Sequence, residues 1–181
     1  MFKMKFINYK DDRRIKREVK RLYVSAFPIE ERPPVNIFFR FAKRENDELY
    51  AIYDDGFVGF TNLLIYKDLC YVFFLAVSEA KRNKGYGSKI LSGIKELMED
   101  KTIVLCYEEI DDKYPDNEMR KRRREFYYRN GFKDNNLIVN EYGVIYDTCY
   151  FGKEKVKFED YIKIYHSIFG EMVYDYVFEV K

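Results

Sequence analysis

The sequence has few of the residues from which metal centres and thiol nucleophiles are built. It contains one histidine, His166, and three cysteines at positions 70, 106 and 149, and it has no tryptophan. The cysteines are far apart, in apolar surroundings, and neither a second histidine nor another cysteine lies at a metal-binding spacing. The pattern predicts no metal site and no Cys–His nucleophile, and it indicates buried free thiols in a reducing compartment.

Long apolar runs and a large charge of one sign are also absent. No segment approaches the roughly 20 apolar residues of a membrane span, and the first five residues, which include two lysines, lack the apolar core of a signal peptide. The formal net charge is only +2. We therefore expect a cytoplasmic protein with no membrane partner, and nucleic acid is an improbable general partner.

Apolar and aromatic residues are abundant. Of the 181 residues, 47% are hydrophobic, and the chain has 18 tyrosines and 16 phenylalanines, which is enough for the core of one ordinary domain. Periodicity and turn residues predict helices over residues 11–27, 35–43 and 158–169. They predict strands over residues 3–9, 48–53, 57–66, 69–77, 102–107, 137–140 and 144–150, and an extended segment over residues 174–180.

Residues 71–99 form the most informative segment. A buried-looking strand ends at Val77, a basic turn carries Gly85 and Gly87, and an amphipathic helix follows directly. The N–H groups at a helix N-terminus and the positive end of its dipole bind phosphate, and glycine permits close approach of a ligand to the backbone. We infer a diphosphate site. The dinucleotide pattern G-x-G-x-x-G fails because Ile90 occupies its third glycine position, and the G-x-x-x-x-G-K-[ST] pattern is absent.

The pattern that remains, [RQ]-x-x-G-x-[GA] from Arg82 to Gly87, resembles the acetyl-CoA-binding motif of the GCN5-related N-acetyltransferases (GNAT). Residues 126–132, Phe-Tyr-Tyr-Arg-Asn-Gly-Phe, are similar to a second signature of that family, F-Y-x-x-x-G-F, in which the glycine ends a helix. Residues 27–32, Phe-Pro-Ile-Glu-Glu-Arg, are similar to a segment of some bacterial members. The resemblance covers roughly residues 1–152.

This resemblance implies an α/β fold with a mixed, mostly antiparallel central sheet of six to seven strands and helices on both faces. It implies an acetyltransferase domain over residues 1–152. Residues 153–181 lie outside it, and we expect them to form a C-terminal helix and an extended segment packed on the same domain or in a homodimer contact.

The resemblance also implies acetyl-CoA as the co-substrate. The backbone at the end of the strand would pair with the pantetheine arm, with the thioester carbonyl near the Val77 N–H, and the turn would hold the diphosphate. The expected cofactor-binding residues are Leu75, Ala76, Val77, Arg82, Asn83, Lys84, Gly85, Tyr86, Gly87 and Ser88.

The reaction implied is attack of an amine on the thioester, which requires a base because an alkylamine is almost fully protonated at neutral pH. Four acidic residues follow the strand over residues 102–107: Glu108, Glu109, Asp111 and Asp112. As the base we favour Glu108 slightly over Glu109. The alternative is that these acids form a solvated loop.

In the family the tyrosine four residues before the helix-ending glycine protonates the departing thiolate. The resemblance therefore makes Tyr127 the expected general acid. The alternative is that Tyr127 is a core tyrosine. Tyr128 would point about 100° away.

A basic run of residues leaves alternatives open. The basic run at residues 120–124 could bind the 3′-phosphate of CoA or RNA, or it could be a solvated helix flank, which we favour. A non-catalytic CoA- or nucleic-acid-binding module is therefore the rival function.

The substrate is predicted only from composition. The helix-loop-helix at residues 29–42 is expected to shape the acceptor pocket, with Glu30, Glu31 and Phe38 as candidate lining residues. Such an acidic, aromatic cleft suits a polyamine, an aminoglycoside, or a lysine or N-terminal amine.

Overall fold

The computed structural model describes residues 4–171 and 175–180, and its centre is one eight-stranded sheet in the order β1-β2-β3-β4-β5-β7-β6-β8. Neighbouring strands are antiparallel except for β4 and β5, which are parallel. The strands are β1 Lys5–Asn8, β2 Asp47–Tyr53, β3 Phe57–Tyr66, β4 Leu69–Val77, β5 Thr102–Glu108, β6 Lys133–Glu141, β7 Val144–Phe151 and β8 Val177–Glu179. The predicted fold class is confirmed.

The sheet has eight strands, whereas six to seven were predicted. The additional strand is the C-terminal β8, which pairs with β6. The segment predicted over residues 137–140 belongs to a longer strand, β6, whose register with β7 is irregular between Asp134 and Ile138. The described residues do not include Lys3 of the first predicted strand or Tyr174 of the predicted extended segment. They also exclude Lys181, the last residue of the tail.

Five α-helices cover the two faces of the sheet. They are α1 Lys16–Ala26, α2 Val35–Phe41, α3 Tyr86–Leu97, α4 Asn117–Arg129 and α5 Phe158–Phe169, with short 3-10 helices at Arg13–Ile15, Ile29–Glu31 and Glu79–Lys81. Residues of α3 and α4 share one apolar cluster on one face. Residues of α1, α2 and α5 form two clusters, joined by Phe73, that cover the other face.

The helix ends follow local sequence signals. The carboxylate of Asp12 accepts a hydrogen bond from the Arg14 N–H at 2.9 Å, just before α1. At the end of α4, Gly131 has φ +80°; its N–H donates to the carbonyl of Tyr128, and the Phe132 N–H donates to that of Tyr127. This pair of bonds is the Schellman motif. The expectation that this glycine ends a helix is therefore confirmed.

The C-terminal helix α5 is an integral part of the core. Its Tyr161, Ile164, Tyr165 and Ile168 are completely buried, and they pack on residues of β4, β5 and β6. The division into an acetyltransferase domain over residues 1–152 and a C-terminal segment over residues 153–181 packed on the same domain stays a prediction.

Membrane-spanning helices and metal clusters are both absent from the described ranges. No helix found there is both long and apolar enough to cross a bilayer. Residues 4–171 and 175–180 also contain no group of three or more histidine, cysteine, aspartate or glutamate side chains placed to hold a metal ion.

Asp47, at the start of β2, gives the fold a pH dependence. Its side chain is 2% exposed, and burial raises the pKa of this carboxyl from 3.8 to about 7, although Asn62 donates a hydrogen bond to it at 2.5 Å. Between these two pKa values the folded state binds a proton that the unfolded chain does not, so the free energy of unfolding falls as the pH rises from 4 to 7.

We expect Asp47→Asn to be more stable than the wild type at pH 8 and similar to it at pH 5. The wild type should lose on the order of 2–3 kcal/mol across that interval. An asparagine can also donate to the side-chain oxygen of Asn62, which has no partner in the described structure. Urea denaturation at both pH values measures the effect, with the exposed Asp100→Asn as the control. Equal pH dependence in all three proteins would contradict the assignment.

Candidate active site

A cleft opens between β4 and β5 because their pairing stops halfway. The parallel register runs from Leu69↔Thr102 to Val72↔Leu105, yet β4 continues to Val77 and β5 to Glu108. The opening begins at Phe73, which has no partner in β3 because the register passes from Leu63↔Val72 to Asn62↔Phe74. Such a bulge bends its strand. Beyond Phe73, backbone groups of β4 on the β5 side are left for a ligand.

Backbone alternation decides which residues of β4 face this cleft. An ideal Cβ on Gly59 of β3 would lie 2.1 Å from the carbonyl oxygen of Ala76, so the backbone of Ala76 points towards β3. Successive residues of a strand direct their N–H and C=O groups to opposite sides, which turns those of Leu75 and Val77 towards the cleft. The expectation that all three residues offer backbone groups is wrong for Ala76, which packs in the core.

The turn after β4 leads to the N-terminus of α3. Asn83 and Gly85 have left-handed φ angles of +59° and +75°, and Gly85 is the N-cap residue of α3. The first amides of a helix have no intrahelical acceptor and point out of its end. Arg82, Asn83, Lys84, Gly85 and Ser88 are exposed there, so the turn can receive an anionic group.

Side chains of the turn are held by its own backbone. The Arg82 Nε donates to the Val77 carbonyl at 3.1 Å, and the Lys84 Nζ donates to that of Ala80 at 2.9 Å.

The two glycines of the turn, Gly85 and Gly87, differ in role. A Cβ on Gly85 would meet no atom within 4 Å, whereas one on Gly87 would lie 2.9 Å from the ring of Phe126. Gly87 therefore permits α3 to pack against α4.

Tyr127 lies on α4 beside β5. It is half-buried, with its ring centroid 6.3 Å from that of Tyr107 and 6.2 Å from that of Phe132. Burial raises the pKa of the Tyr127 hydroxyl, so this hydroxyl is protonated at neutral pH. The neighbouring Tyr128 is 37% exposed, and its hydroxyl lies 3.4 Å from that of Tyr107.

The two candidate bases have different surroundings. Glu108 ends β5 and forms an ion pair with Arg123 of α4. Glu109 belongs to the loop after β5, where Lys113 donates to it at 2.9 Å and the Tyr114 hydroxyl at 3.0 Å. The hydrogen bond from Lys113 lowers the pKa of Glu109. Glu109 is thus held within its own loop.

The basic run at residues 120–124 is largely engaged within the protein. Arg120 donates to the Glu109 carbonyl at 2.9 Å and pairs with Asp116, Lys121 pairs with Glu118, and Arg123 pairs with Glu108. These contacts favour a helix flank over a nucleic-acid surface.

A second pocket adjoins the closed end of the cleft. Its volume is about 390 Å³, and Phe73, the residue at which β4 and β5 separate, forms part of its wall. The lining residues are Glu31, Arg32, Pro33, Ile37, Phe41, Phe73, Glu141, Tyr142, Val144, Tyr146, Phe169 and Tyr176. We name it the aromatic pocket.

Of the residues predicted to line the substrate pocket, Glu31 is found in the wall of the aromatic pocket. Phe38 is 3% exposed and stacks on Tyr23 in the core, with 4.2 Å between ring centroids. The prediction is wrong for Phe38, since its neighbours Ile37 and Phe41 face the pocket instead. The side chain of Glu30 lies outside the described structure.

Sequence reasoning missed Glu141, at the end of β6, although a signal was present. Leu137, Val139 and Glu141 alternate along the strand, and all three are buried. Period-two alternation would have placed the carboxylate on the buried face.

A larger cavity of about 820 Å³ lies at the opposite end of β4 and β5, near Leu69 and Thr102. The two strands are paired there, so their backbone offers no free groups to a ligand. Its wall mixes lysines with acidic side chains. We assign it no part in the site.

Comparisons with known proteins agree with this geometry. The model of the acetyltransferase (GNAT) domain matches residues 45–134. A GNAT-family protein from Bacteroides thetaiotaomicron is 26% identical, with a TM-score of 0.71 over 95% of this chain and 98% of the other. No curated protein matches the sequence.

Two more distant structures share the fold. An aminoglycoside 6′-N-acetyltransferase complexed with coenzyme A is 16% identical, with a TM-score of 0.63 over 84% of this chain and 99% of the other. An acetyltransferase of Bacillus subtilis in complex with CoA is 16% identical, with a TM-score of 0.57 over 85% and 100%. Taken with the split sheet and the glycine turn, the match of the family model identifies residues 45–134 as an acetyltransferase (GNAT) domain.

Proposed function

We propose that this acetyltransferase moves the acetyl group of acetyl-CoA to a primary amine by direct attack of the amine on the thioester. One observation carries the proposal. The β4–β5 cleft has the N-terminus of α3 at its open end and the aromatic pocket at its closed end. A cofactor in the cleft and an acceptor in the pocket would meet near Phe73.

In this arrangement the diphosphate binds the amides at the start of α3, and Arg82 and Lys84 add positive charge nearby. The pantetheine arm lies along β4 and pairs with the cleft-facing groups of Leu75 and Val77. The thioester carbonyl was expected near the Val77 N–H. We propose the Leu75 N–H for this carbonyl, because Leu75 is two residues closer to the wall of the aromatic pocket. Such a donor would stabilise the tetrahedral intermediate.

The acceptor must lose a proton before it attacks. A lysine-like amine is neutral in only about one molecule in 2,500 at pH 7, a cost of about 4.6 kcal/mol. We propose Glu108 as the base, directly or through water. Its place at the end of β5, beside the cleft, supports this role, and Arg123 fixes the carboxylate.

The leaving thiolate must gain a proton, and we propose Tyr127 as its source. Its hydroxyl carries a proton at neutral pH because burial raises its pKa, and charge developing on the thiolate would draw this proton away.

Release of free thiol from acetyl-CoA, measured across a panel of primary amines, tests the function, with mass spectrometry to identify the acetylated product. We expect amine-dependent release in a 1:1 ratio with acetylated amine. CoA binding without turnover on any amine would contradict the proposal and favour the non-catalytic module.

The identity of the base can be tested by a matched pair of variants. We expect Glu108→Gln to lower kcat by about 10²-fold or more, the usual size of a general-base effect. Glu109→Gln should stay within about threefold of the wild type, because Lys113 and Tyr114 hold Glu109 in its loop. Steady-state kinetics measures both, and the reverse ranking would assign the base to Glu109.

A further inference from the structure

Glu141 is a buried carboxylate surrounded by hydroxyl groups. It is 9% exposed and accepts hydrogen bonds from the hydroxyls of Tyr71, at 3.1 Å, and of Tyr161. The Cys106 thiol is 3.8 Å from the same carboxylate. Tyr71, Tyr161 and Cys106 come from β4, α5 and β5, so three elements build this environment around one side chain.

None of these donors carries a positive charge. In residues 4–171 and 175–180, no lysine or arginine forms an ion pair with Glu141. Burial raises the pKa of Glu141, although Tyr161 and its other hydrogen-bond donors oppose the rise. A buried carboxylate is costly unless a counter-ion balances it. The described residues offer this carboxylate hydrogen bonds but no cation.

Glu141 borders the space in which the acceptor is proposed to bind. Glu141 is part of the wall of the aromatic pocket. Cys106, next to its carboxylate, is the first residue of β5 beyond the last β4–β5 pair. The carboxylate therefore lies beside the closed end of the cleft, where an acceptor amine would meet the thioester.

The other residues of the pocket wall indicate the chemical character of the rest of the ligand, apart from its ammonium group. Among the described residues, six aromatic side chains line the pocket, and the charged ones there are Glu31, Arg32 and Glu141. Arg32 is held by the Phe27 carbonyl at 3.0 Å and lies over the ring of Tyr23. A polycation would meet this guanidinium, and a sugar would lose water hydrogen bonds against aromatic walls.

We propose that Glu141 binds the ammonium group of the acceptor, and that the acceptor is an amine with one positive charge and an aromatic or apolar body. This inference rests on the proposed function, and it selects among the amine classes that composition left open. Glu141 acts in substrate recognition, whereas Glu108 is the proposed base.

Phenethylamine is a suitable probe, with 2-phenylethanol as its uncharged analogue and spermidine as a polycation. Calorimetric titration into the CoA-saturated wild type should show phenethylamine binding at least tenfold more tightly than either of the others. Glu141→Gln should weaken phenethylamine binding about 30-fold and leave 2-phenylethanol binding unchanged. The exposed Glu159→Gln on α5 is the matched control and should behave like the wild type.

The variant should fold, because hydroxyls that donate to a carboxylate can rotate to accept from an amide. The wild-type comparison needs no variant, and equal affinities for phenethylamine and 2-phenylethanol would overturn the inference. Phenethylamine affinity unchanged in Glu141→Gln would also overturn it, even if acetyl transfer to amines is observed. Binding that depends on Glu141 without any acetyl transfer would support the inference and contradict the proposed function.

Discussion

Replacing Gly85 by leucine is expected to lower the affinity for CoA at least 100-fold while the protein stays folded. In the protein, a Cβ at this position would meet no atom within 4 Å, so the side chain would extend into the space where the diphosphate is proposed to bind. The left-handed φ of +75° adds strain of about 1–2 kcal/mol for a residue other than glycine. Calorimetric titration with CoA measures the loss.

Gly143→Leu is the matched control for this change. Gly143 has φ +92° and is equally open, but it lies in the β6–β7 turn, far along the chain from the start of α3. Both variants should lose similar stability in thermal unfolding, and only Gly85→Leu should lose CoA binding. Equal affinities in the two variants would show that the diphosphate does not bind at this turn.

Tyr127→Phe is expected to lower kcat by about 10²–10³-fold and to leave the Kd of CoA within about twofold. The substitution removes the proposed proton donor but keeps the ring, whose contacts with Tyr107 and Phe132 hold α4 against the sheet. The backbone carbonyl that accepts from Phe132 at the helix end is also unchanged. Steady-state kinetics and CoA titration separate chemistry from binding.

Tyr128→Phe supplies the control, since it removes a hydroxyl from the next residue of the same helix. Tyr128 is more exposed, and its hydroxyl faces Tyr107, so we expect nearly wild-type turnover. If Tyr127→Phe retained full turnover, the thiolate would have to receive its proton from another group, such as water. If both variants lost turnover equally, a general disturbance of α4 would explain the result.

Most secondary structure was predictable because its signals lie within a few residues. Residues 69–77 were predicted as a strand and residues 158–169 as a helix, and β4 and α5 have those bounds. Asp12 caps the first helical segment, while Gly131 and Gly170 end α4 and α5 with positive φ. Each of these signals acts through backbone geometry or a hydrogen bond to a near neighbour in the chain.

The site was predictable only in part. The glycine turn and the start of α3 could be identified because strand, turn and helix follow one another in sequence. Phe38 was misplaced, because helical periodicity does not say which of two apolar faces meets the core. Glu141 was missed, since its environment is assembled from β4, β5 and α5.

The sequence by itself determined the order of the elements, the glycine turn before α3 and the family to which the chain is similar. Tertiary structure decided where β4 and β5 separate, which backbone amides face the cleft, and how Glu108 and Glu109 differ. It also placed in the wall of the aromatic pocket a carboxylate that has no ion-pair partner among the described residues. The physical reason is range. Caps and turns depend on neighbours a few residues away, whereas register and burial depend on segments that are brought together only when the sheet forms.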